Sequence, residues 1–475
     1  MYDRIKEKGV NVRNYCFPIK CIDSQNGNDP DNLLLKKPLQ IGLSEKNLAC
    51  FTNGGFVILD YGFEMNGGVR ILTHIANNVP IRIRFGESLT ECSAELGGKT
   101  NATNDHSLRD FTVNLQHYSD MTFGNTGFRF IRIDFFGEVK LKSIVAVNNI
   151  LVKKSIYSYK GADSKIDAIF KVAKRTIDLC ASGDYLWDGI KRDRLVWIGD
   201  IHPEMLALTT LYGRMPIIER SLDFIRKQTP LPKWMNGYPS YSMWWIIIVS
   251  DYCELTGTWN FAKKQVDYMQ RLVTQMLDFV AIDGKMQYSR DFVDWQTKDK
   301  SDEKQGVRAI NIIAAKKAIK FLEHFNENIA NAQELLYRLT KKEIAVESSK
   351  SVLGLKYFAT GLTANDEKKL IDGGVKGLST FMSYYILTAV ASFNKAKAIE
   401  MLKDYYGAML DKGATTFWED FNIDWSYNSC RIDECPKTGE RDVHGDFGEY
   451  CYKGFRHSLC HGWASGIIRF IKEYC

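Results

Sequence analysis

The spacing of apolar residues changes once along this chain, near Ser164, and that change limits the folds open to it. From about residue 38 to 155, apolar and polar residues alternate with a period of two, as in IRIRFGE (81–87). From Ser164 onward they recur at helical spacing, beginning with SKIDAIFKVAKRTIDLC. A period of two is typical of half-buried strands, and a period near 3.6 is typical of amphipathic helices. The chain is therefore predicted to join a β region to a helical region.

Aromatic composition divides the chain in the same way. All ten tryptophans lie at or after Trp187, and the first 186 residues contain none. Before that point, turn signals such as NGG (53–55 and 66–68) and GNTG (124–127) separate the short strands. We predict an antiparallel β-sandwich as an accessory domain over residues 1–158, followed by a helical domain over 159–475. Residues 1 to about 35 are polar, and the cluster DSQNGNDPDN (23–32) within them is predicted to form a loop.

The helical region is predicted to hold about ten to twelve helices. That number fits a toroid of paired helices whose loops converge on one site. An irregular helical array is the alternative, and no short sequence repeat supports a solenoid. After the helix that begins at Ser164, we expect helices at 201–228, 240–257, 260–282, 306–325, 329–348, 365–373, 379–391, 395–409 and 459–473.

Charge, apolar run length and cysteine spacing limit the partners and the cellular compartment that we expect. The 63 basic and 57 acidic residues give a formal net charge of +6 and form no basic run, so nucleic acid is not an expected partner. The longest apolar run, near MWWIIIV, is too short to span a bilayer, so no membrane partner is expected. Eleven cysteines without framework spacing favour free thiols in the cytoplasm. A secreted chain that had lost its signal peptide would have the same composition.

The stretch Asp184–Glu204 mixes ionised and aromatic residues more densely than a surface helix does. Asp188, Asp193 and Asp200 are interleaved with Trp197 and other apolar residues, and Arg192 lies among them. Hydrolysis of a glycosidic bond needs one protonated carboxyl group and one carboxylate, and further carboxylates can hold sugar hydroxyls. We interpret the stretch as the active-site wall of a carbohydrate-active enzyme. The alternative is a capped helix start with surface ion pairs.

A second acidic motif, GATTFWEDFNIDW, lies at residues 413–425. Glu419 follows Trp418 directly. Burial beside an indole can raise the pKa of a carboxyl group, and the indole face can pack on the C–H surface of a sugar. The alternative is an exposed glutamate at the edge of a helix or strand.

Three more segments carry candidate residues. RDFVDWQT contains Asp294 and Trp295, YPSYSMWW contains Trp244, and FRHSLCHGWASG contains His461 four residues after His457. A zinc site of the HExxH type is absent, and we predict no metal. No glycine-rich phosphate loop and no G-x-S-x-G motif occur, so no cofactor is predicted.

Taken together, these motifs resemble those of the bacterial α-L-rhamnosidases of glycoside hydrolase family 78. KRDRLVWIGD (191–200), GATTFWE (413–419) and HSLCHGWASG (457–466) occur in that family's order. The resemblance implies an (α/α)6 barrel that removes terminal α-L-rhamnose, or a similar sugar, from glycosides with inversion of configuration. It covers residues 184–466, and the β region resembles the β-domains that precede such barrels.

The resemblance also implies roles for individual residues. Asp193 falls on the general acid and Glu419 on the general base. Asp188 and Asp200 fall on carboxylates that hold sugar hydroxyls, beside Arg192. The residues that would line the sugar pocket are Trp197, Trp244, Asp294, Trp295, Trp418 and His461.

Two departures from the family pattern bear on these expectations. The acid position is often glutamate in the family, whereas Asp193 is shorter by one methylene. The usual C-terminal β-domain is missing from this sequence, so one pocket wall is expected to be absent or to come from a second copy in a homodimer. Two alternatives follow: a sugar-binding protein that has lost turnover, or an uronyl hydrolase or lyase that uses His461 and Arg192.

Overall fold

Strands and long helices occupy successive parts of the chain in this computed structural model, which describes residues 4–6 and 11–475. A short helix, α1 (Leu89–Ser93), interrupts the strands. The described strands are β1 (Arg4–Lys6), β2 (Asn11–Cys16), β3 (Lys20–Asn28), β4 (Ala49–Ile75), β5 (Val79–Gly86), β6 (Asp110–Leu115), β7 (Ser119–Phe135) and β8 (Val139–Leu151).

These eight strands form one antiparallel hydrogen-bonded sheet. Its order is β1-β2-β8-β4-β7-β5-β6, with β3 paired to β4. The 27-residue strand β4 pairs along its length with β3, β7 and β8, so it links all parts of the sheet. Alternate residues of β4 to β8, such as Leu59, Ile81 and Ile133, meet in a single buried cluster. The sheet therefore encloses its own core, as the period of two predicted.

One part of the N-terminal prediction was wrong. The cluster DSQNGNDPDN, which was expected to be a loop, overlaps β3 (Lys20–Asn28). Among the described strands, β3 pairs with β4 alone, and its residues are exposed or partly exposed. An edge strand that buries little carries no apolar alternation, so its sequence resembles a loop.

Long helices follow from Ser164 to the end of the chain. They are α2 (Ser164–Cys180), α3 (Ile198–Tyr212), α4 (Pro216–Gln228), α5 (Pro239–Thr256), α6 (Trp259–Lys263), α7 (Val266–Asp278), α8 (Lys300–His324), α9 (Ala330–Thr340), α10 (Lys350–Thr360), α11 (Ala364–Ile371), α12 (Ser383–Ala391), α13 (Lys395–Asp411) and α14 (Ile467–Tyr474). Within the described residues, no helix combines the length and apolar character needed to cross a membrane.

Six of these helices close a ring. Each ring helix packs on the next in the order α3, α5, α8, α10, α12 and α14, and α14 packs on α3 to close the ring. The other long helices α2, α4, α7, α9, α11 and α13 alternate with them in sequence and pack outside the ring. Ring helices α3, α5 and α12 are buried on nearly every face, whereas the outer helices have one apolar face. The predicted mixed α+β fold, with a helical barrel after the β region, is confirmed.

Several predicted helix bounds differ from the structure, and one helix was missed. The helix expected at 459–473 begins only at Ile467 in α14, and the helix expected at 329–348 ends at Thr340 in α9. The helix expected at 201–228 breaks between α3 and α4, because Gly213 adopts a positive φ of 69° and Pro216 begins the next helix. Helix α10 was not predicted at all. Most of its residues are buried, so SVLGLKYFA lacks the polar face that marks an amphipathic helix.

The connections from outer to ring helices all lead into N-terminal ends of ring helices. The loop before α3, the start of α5 and the segment before α14 therefore lie at the same end of the ring. Helix N-termini carry partial positive charge and unpaired N–H groups, so this end favours carboxylates.

Candidate active site

A cavity of about 280 Å³ opens at this end of the ring. Carboxylates, cationic side chains and aromatic rings share its surface. The lining residues are His106, Asp188, Arg192, Asp193, Trp197, Asp200, Tyr238, Tyr241, Phe292, Trp295, Glu419, Tyr452, Arg456, His461 and Trp463. Eight of the eleven residues named from the sequence are among them: Asp188, Arg192, Asp193, Trp197, Asp200, Trp295, Glu419 and His461.

Backbone hydrogen bonds bring the three sequence motifs side by side. The N–H of Glu419 donates to the carbonyl of Ser458 at 3.0 Å, and the N–H of His461 donates to Phe417 at 3.0 Å. The N–H of Gly462 donates to the carbonyl of Asp188 at 2.7 Å. Segments more than 200 residues apart therefore form one wall, which only a closed ring of helices allows.

Arg192 lies between the two residues predicted to be catalytic. Its Nη2 contacts Oε1 of Glu419 at 2.5 Å, and its Nη1 lies 3.8 Å from Oδ2 of Asp193. The other oxygen of Glu419 accepts a hydrogen bond from the backbone N–H of Ser458 at 3.2 Å. Burial raises the pKa of Glu419, and the Arg192 guanidinium opposes that rise. Glu419 is thus held in one orientation by two donors.

Asp188 and Asp200 lie in an environment that disfavours their charge. Both are buried, and burial raises the pKa of each well above its usual range. Neighbouring acids add to the effect, chiefly Asp193 for Asp188 and Asp188 for Asp200. Asp188 accepts a hydrogen bond from the N–H of Leu195 at 2.9 Å, whereas Oδ1 of Asp200 has no hydrogen-bond partner among the residues that the structure describes. These carboxyl groups are suited to bind hydroxyls that replace water.

His461 lies at the centre of the acids. Its Nε2 is 3.9 Å from Asp188, 3.8 Å from Asp200 and 3.6 Å from Glu419. Burial lowers the pKa of His461 well below its usual range, and the charge of Arg192 lowers it further. A neutral imidazole here offers one donor and one acceptor without adding charge.

Aromatic rings form the remaining walls. Trp197 meets Tyr241 edge to face at 6.2 Å, and Trp295 meets Phe292 at 5.2 Å. On the side of His461, Trp463 packs against the imidazole at 4.2 Å. Rings of this kind can cover the apolar C–H face of a sugar while the acids bind its hydroxyls.

The loop that carries Arg192 and Asp193 is anchored to the β region through Lys191. The Lys191 ammonium contacts Glu87 at 3.1 Å and Glu91 at 2.9 Å, and it donates to the carbonyl of His457 at 2.7 Å. Glu87, Glu91 and His444 bring potential metal-ligand atoms within 4.8 Å of one another. Because the ammonium already contacts both carboxylates, this cluster is a buried ion-pair network that holds the loop of Arg192 and Asp193.

Comparison with known proteins bears on the fold. No protein-family model matches the sequence, and no curated protein matches it. Among solved structures, the chain resembles the rhamnosidase from Klebsiella oxytoca, determined with rhamnose bound, with a TM-score of 0.74 and 18% identity over 98% of this chain and 96% of that one. It also resembles the GH78 family rhamnosidase of Bacillus sp. GL1, with a TM-score of 0.69 and 17% identity over 93% of this chain. The chain has the α-L-rhamnosidase fold.

The share of each solved structure that this chain covers differs between the matches. This chain spans 48% of the Bacillus protein. It spans 42% of the α-L-rhamnosidase of Streptomyces avermitilis, with a TM-score of 0.65 and 14% identity over 87% of this chain. The match to the Klebsiella protein covers nearly the whole length of both chains, β region and helical ring included.

Three residues expected in the pocket of this rhamnosidase fold lie outside the cavity, and those expectations are corrected. Trp244, on α5, is 1% exposed and packs against His202 and Tyr385 within the ring core. Trp418 is 1% exposed and points into the core against Phe421. Glu419, which follows Trp418 directly, and Tyr241, three residues before Trp244, line the cavity instead.

Asp294 does not line the 280 Å³ cavity, but it lines a smaller adjoining pocket that shares Trp295, Glu419, Tyr452 and Trp463 with the cavity. It accepts hydrogen bonds from Ser351 at 2.7 Å and from Ser379 at 2.9 Å, and it caps a turn at Thr297. These partners precede or begin α10 and α12, so Asp294 ties together the entrances of neighbouring ring helices.

Seven lining residues were missed by the sequence analysis. Five of them lie within the motifs, namely Tyr238, Tyr241, Phe292, Arg456 and Trp463, so membership of a motif was a usable signal. The other two are His106 and Tyr452. His106 comes from the β region, where nothing in the local sequence marks it.

Proposed function

We propose that the protein is an inverting glycoside hydrolase that removes terminal α-L-rhamnose, or a similar sugar, from oligosaccharides or glycosides. The observation that carries the proposal is that Asp193 and Glu419 line one cavity on either side of Arg192, together with further acids and aromatic rings. The likeness to rhamnosidase structures supports it at the level of fold.

In the proposed reaction, Asp193 protonates the departing glycosidic oxygen. Glu419 removes a proton from the water that attacks the anomeric carbon on the opposite face of the sugar. Arg192 and the N–H of Ser458 hold Glu419 in position for that water. Asp188, Asp200 and His461 bind the sugar hydroxyls, which exchange hydrogen bonds with water for hydrogen bonds with the protein.

The aromatic walls of the cavity suit a sugar that has an apolar edge. Tyr241 and Trp295 each contact Phe292, and the three form a ring surface in the same cavity as the acids. A deoxy sugar such as rhamnose has a methyl group where other hexoses have a hydroxymethyl group, and a ring surface accepts that methyl without leaving a polar group unpaired.

The test is a panel of aryl glycosides that includes aryl α-L-rhamnopyranoside. We expect cleavage of the rhamnoside, with β-L-rhamnose as the first product in proton NMR spectra recorded during turnover. Release of the α-anomer would contradict inversion. Cleavage of a different glycoside would correct the sugar but keep the reaction class.

Two further outcomes would support other classes. Calorimetric binding of rhamnose or a rhamnoside without product release would identify a sugar-binding protein. An unsaturated product that absorbs in the ultraviolet, formed from a uronate-containing oligosaccharide, would identify a lyase.

A further inference from the structure

His106 reaches the cavity from the β region, on the loop between α1 and β6. Its Nε2 lies 3.1 Å from Oδ1 of Asp193, and both residues line the cavity. That distance is within the range of a hydrogen bond between a ring N–H and a carboxylate. The predicted acid therefore has a partner that is 87 positions away in sequence (193 − 106) and belongs to the other region of the chain.

Both side chains are presented by unusual backbone turns. His106 has a φ of 67° and Asp193 has a φ of 59°, in the left-handed region that costs a non-glycine residue free energy. Each is the middle residue of a three-residue turn closed by a backbone hydrogen bond, at 2.9 Å across residues 105–107 and at 2.8 Å across residues 192–194. The two turns aim the imidazole and the carboxylate at each other.

A direct hydrogen bond ties the two turns together. Ser107, next to His106, donates from its hydroxyl to the carbonyl of Lys191 at 2.7 Å. Lys191 precedes Asp193 by two residues and is itself anchored to Glu87 at 3.1 Å. The separation of His106 and Asp193 is thus set by the surrounding structure as well as by their own contact.

Four acidic side chains and two arginines lie around the pair. Asp105 lies 3.7 Å from the imidazole on the same loop, and Arg456 pairs with Asp105 at 2.7 Å. On the other loop, Arg192 lies 3.8 Å from Asp193. The charge of Asp193 in turn raises the pKa of Asp188, Asp200 and Glu419, which line the same cavity.

The side chain of His106 is more exposed to solvent than that of Asp193. The side chain of His106 is 34% exposed, whereas that of Asp193 is 18% exposed. A sugar bound in the cavity would cover Asp193 further. His106 therefore connects the carboxylate to solvent from the side of the β region.

We propose that His106 supplies the proton that Asp193 delivers in each catalytic cycle. This inference rests on the proposed function, in which Asp193 ends each cycle as a carboxylate. The imidazolium form of His106 then gives its Nε2 proton to Oδ1 of Asp193: the N–H bond breaks, its electron pair stays on nitrogen, and the O–H bond forms. The neutral imidazole takes a new proton from solvent, while Glu419 returns to solvent the proton it took from the attacking water. His106 acts through Asp193 and is a positioning and proton-supplying residue.

The contact can be tested without any turnover, by NMR of protein labelled with ¹⁵N-histidine. The signals of His106 are assigned from their loss in His106→Gln. In the wild type we expect the Nε2–H of His106 to show the chemical shift of a hydrogen-bonded group, and we expect its ¹⁵N and ¹H shifts to change in Asp193→Ala, which lacks the acceptor. Unchanged His106 signals in Asp193→Ala would overturn the inference, whatever the protein hydrolyses.

The role can be tested with two rhamnosides that differ in leaving group. A nitrophenyl group departs without protonation, whereas an alkyl group needs the acid. For His106→Ala we expect kcat on the alkyl rhamnoside to fall about tenfold to a hundredfold with KM unchanged, and kcat on the nitrophenyl rhamnoside to stay within about twofold. Added imidazole should restore the lost activity. His117→Gln, a substitution at an exposed histidine of the β region outside the cavity, is the matched control.

The outcomes separate the two proposals. Equal loss on both substrates, no loss on either, or no rescue by imidazole would overturn the role of His106 while leaving the rhamnosidase assignment in place. A wild-type protein that cleaves neither rhamnoside would overturn the proposed function, and the proton-supplying role would fall with it even if the NMR contact is observed.

Discussion

At the scale of single residues, the cavity is defined by acids in unfavourable surroundings. Asp200 is 3% exposed, lies in the first turn of α3 and leaves Oδ1 without a hydrogen-bond partner. Asp188 and Glu419 are equally buried nearby. Such a cluster costs folding free energy that a purely structural site would avoid, and this is typical of sites that bind a polar ligand.

Replacement of Glu419 should separate catalysis from binding. Glu419→Gln keeps the shape of the side chain but removes the base, so we expect kcat for the preferred glycoside to fall about 10² to 10⁴-fold with a small change in KM. Steady-state kinetics measure this. Glu400→Gln, on the exposed face of α13, should retain wild-type rates. Full activity in Glu419→Gln would contradict its role as the base.

Asp200→Asn should be more stable than the wild type, and the difference between their free energies of unfolding should grow as the pH rises. Burial raises the pKa of Asp200, so the folded chain holds a proton that the unfolded chain releases. Below about pH 4 both states are protonated and Asp200→Asn should change little. From there upward the wild type loses folding free energy relative to the variant until the pH exceeds the folded-state pKa. Urea unfolding at pH 4, 6 and 8 checks this, and a difference that shrinks with pH would contradict it.

At the scale of elements, the sequence motifs work because turns and helix entrances meet at one end of the ring. The segment before α14 packs on α3 so closely that Gly462 has no room for a side chain. A Cβ atom there would lie 1.9 Å from Oε1 of Glu204, which is itself 1% exposed. The glycine in HGWASG is therefore required by packing between two ring helices.

Gly462→Ala should destabilise the fold by forcing these elements apart. We expect a loss of about 1–3 kcal/mol in the free energy of unfolding, as for other overpacked cores. Gly42→Ala is the matched control, because a Cβ at Gly42 meets no atom within 4 Å. Chemical denaturation of both variants measures the difference, and equal stabilities would show that Glu204 can move aside.

At the scale of the whole molecule, the β region supports the candidate site directly. Glu87, at the end of β5, accepts hydrogen bonds from Lys191 at 3.1 Å and from the N–H of Leu459 at 2.7 Å. It therefore contacts both loops that flank the cavity. The β region also supplies His106 to the cavity wall.

Lys191→Met should weaken the attachment between the two regions. It leaves Glu87 and Glu91 as buried carboxylates without their ammonium partner, at a cost of about 3–5 kcal/mol. Thermal unfolding should show a lower Tm for Lys191→Met. In the background of Glu87→Gln, the same substitution should cost less, because one carboxylate is already neutral. Additive losses would contradict the coupling.

The acids of the cavity could be predicted from the sequence, whereas the orientation of the tryptophans could not. Asp188, Asp193, Asp200 and Glu419 stand out because ionised residues beside tryptophan are costly unless they have a task. Trp244 and Trp418 look the same in sequence, yet both pack in the core, since the side to which an indole points depends on the turn that carries it.

The sequence by itself determined the order of a β region and a helical region, because the period of apolar residues is a local property of strands and helices. It also determined the acid-rich motifs. Only the tertiary structure decided that His106 faces Asp193, that Lys191 joins both loops to the β region, and that Asp294 belongs to the framework. These contacts link residues 57 to 372 positions apart or depend on a left-handed backbone angle, and nothing in the neighbouring sequence encodes either.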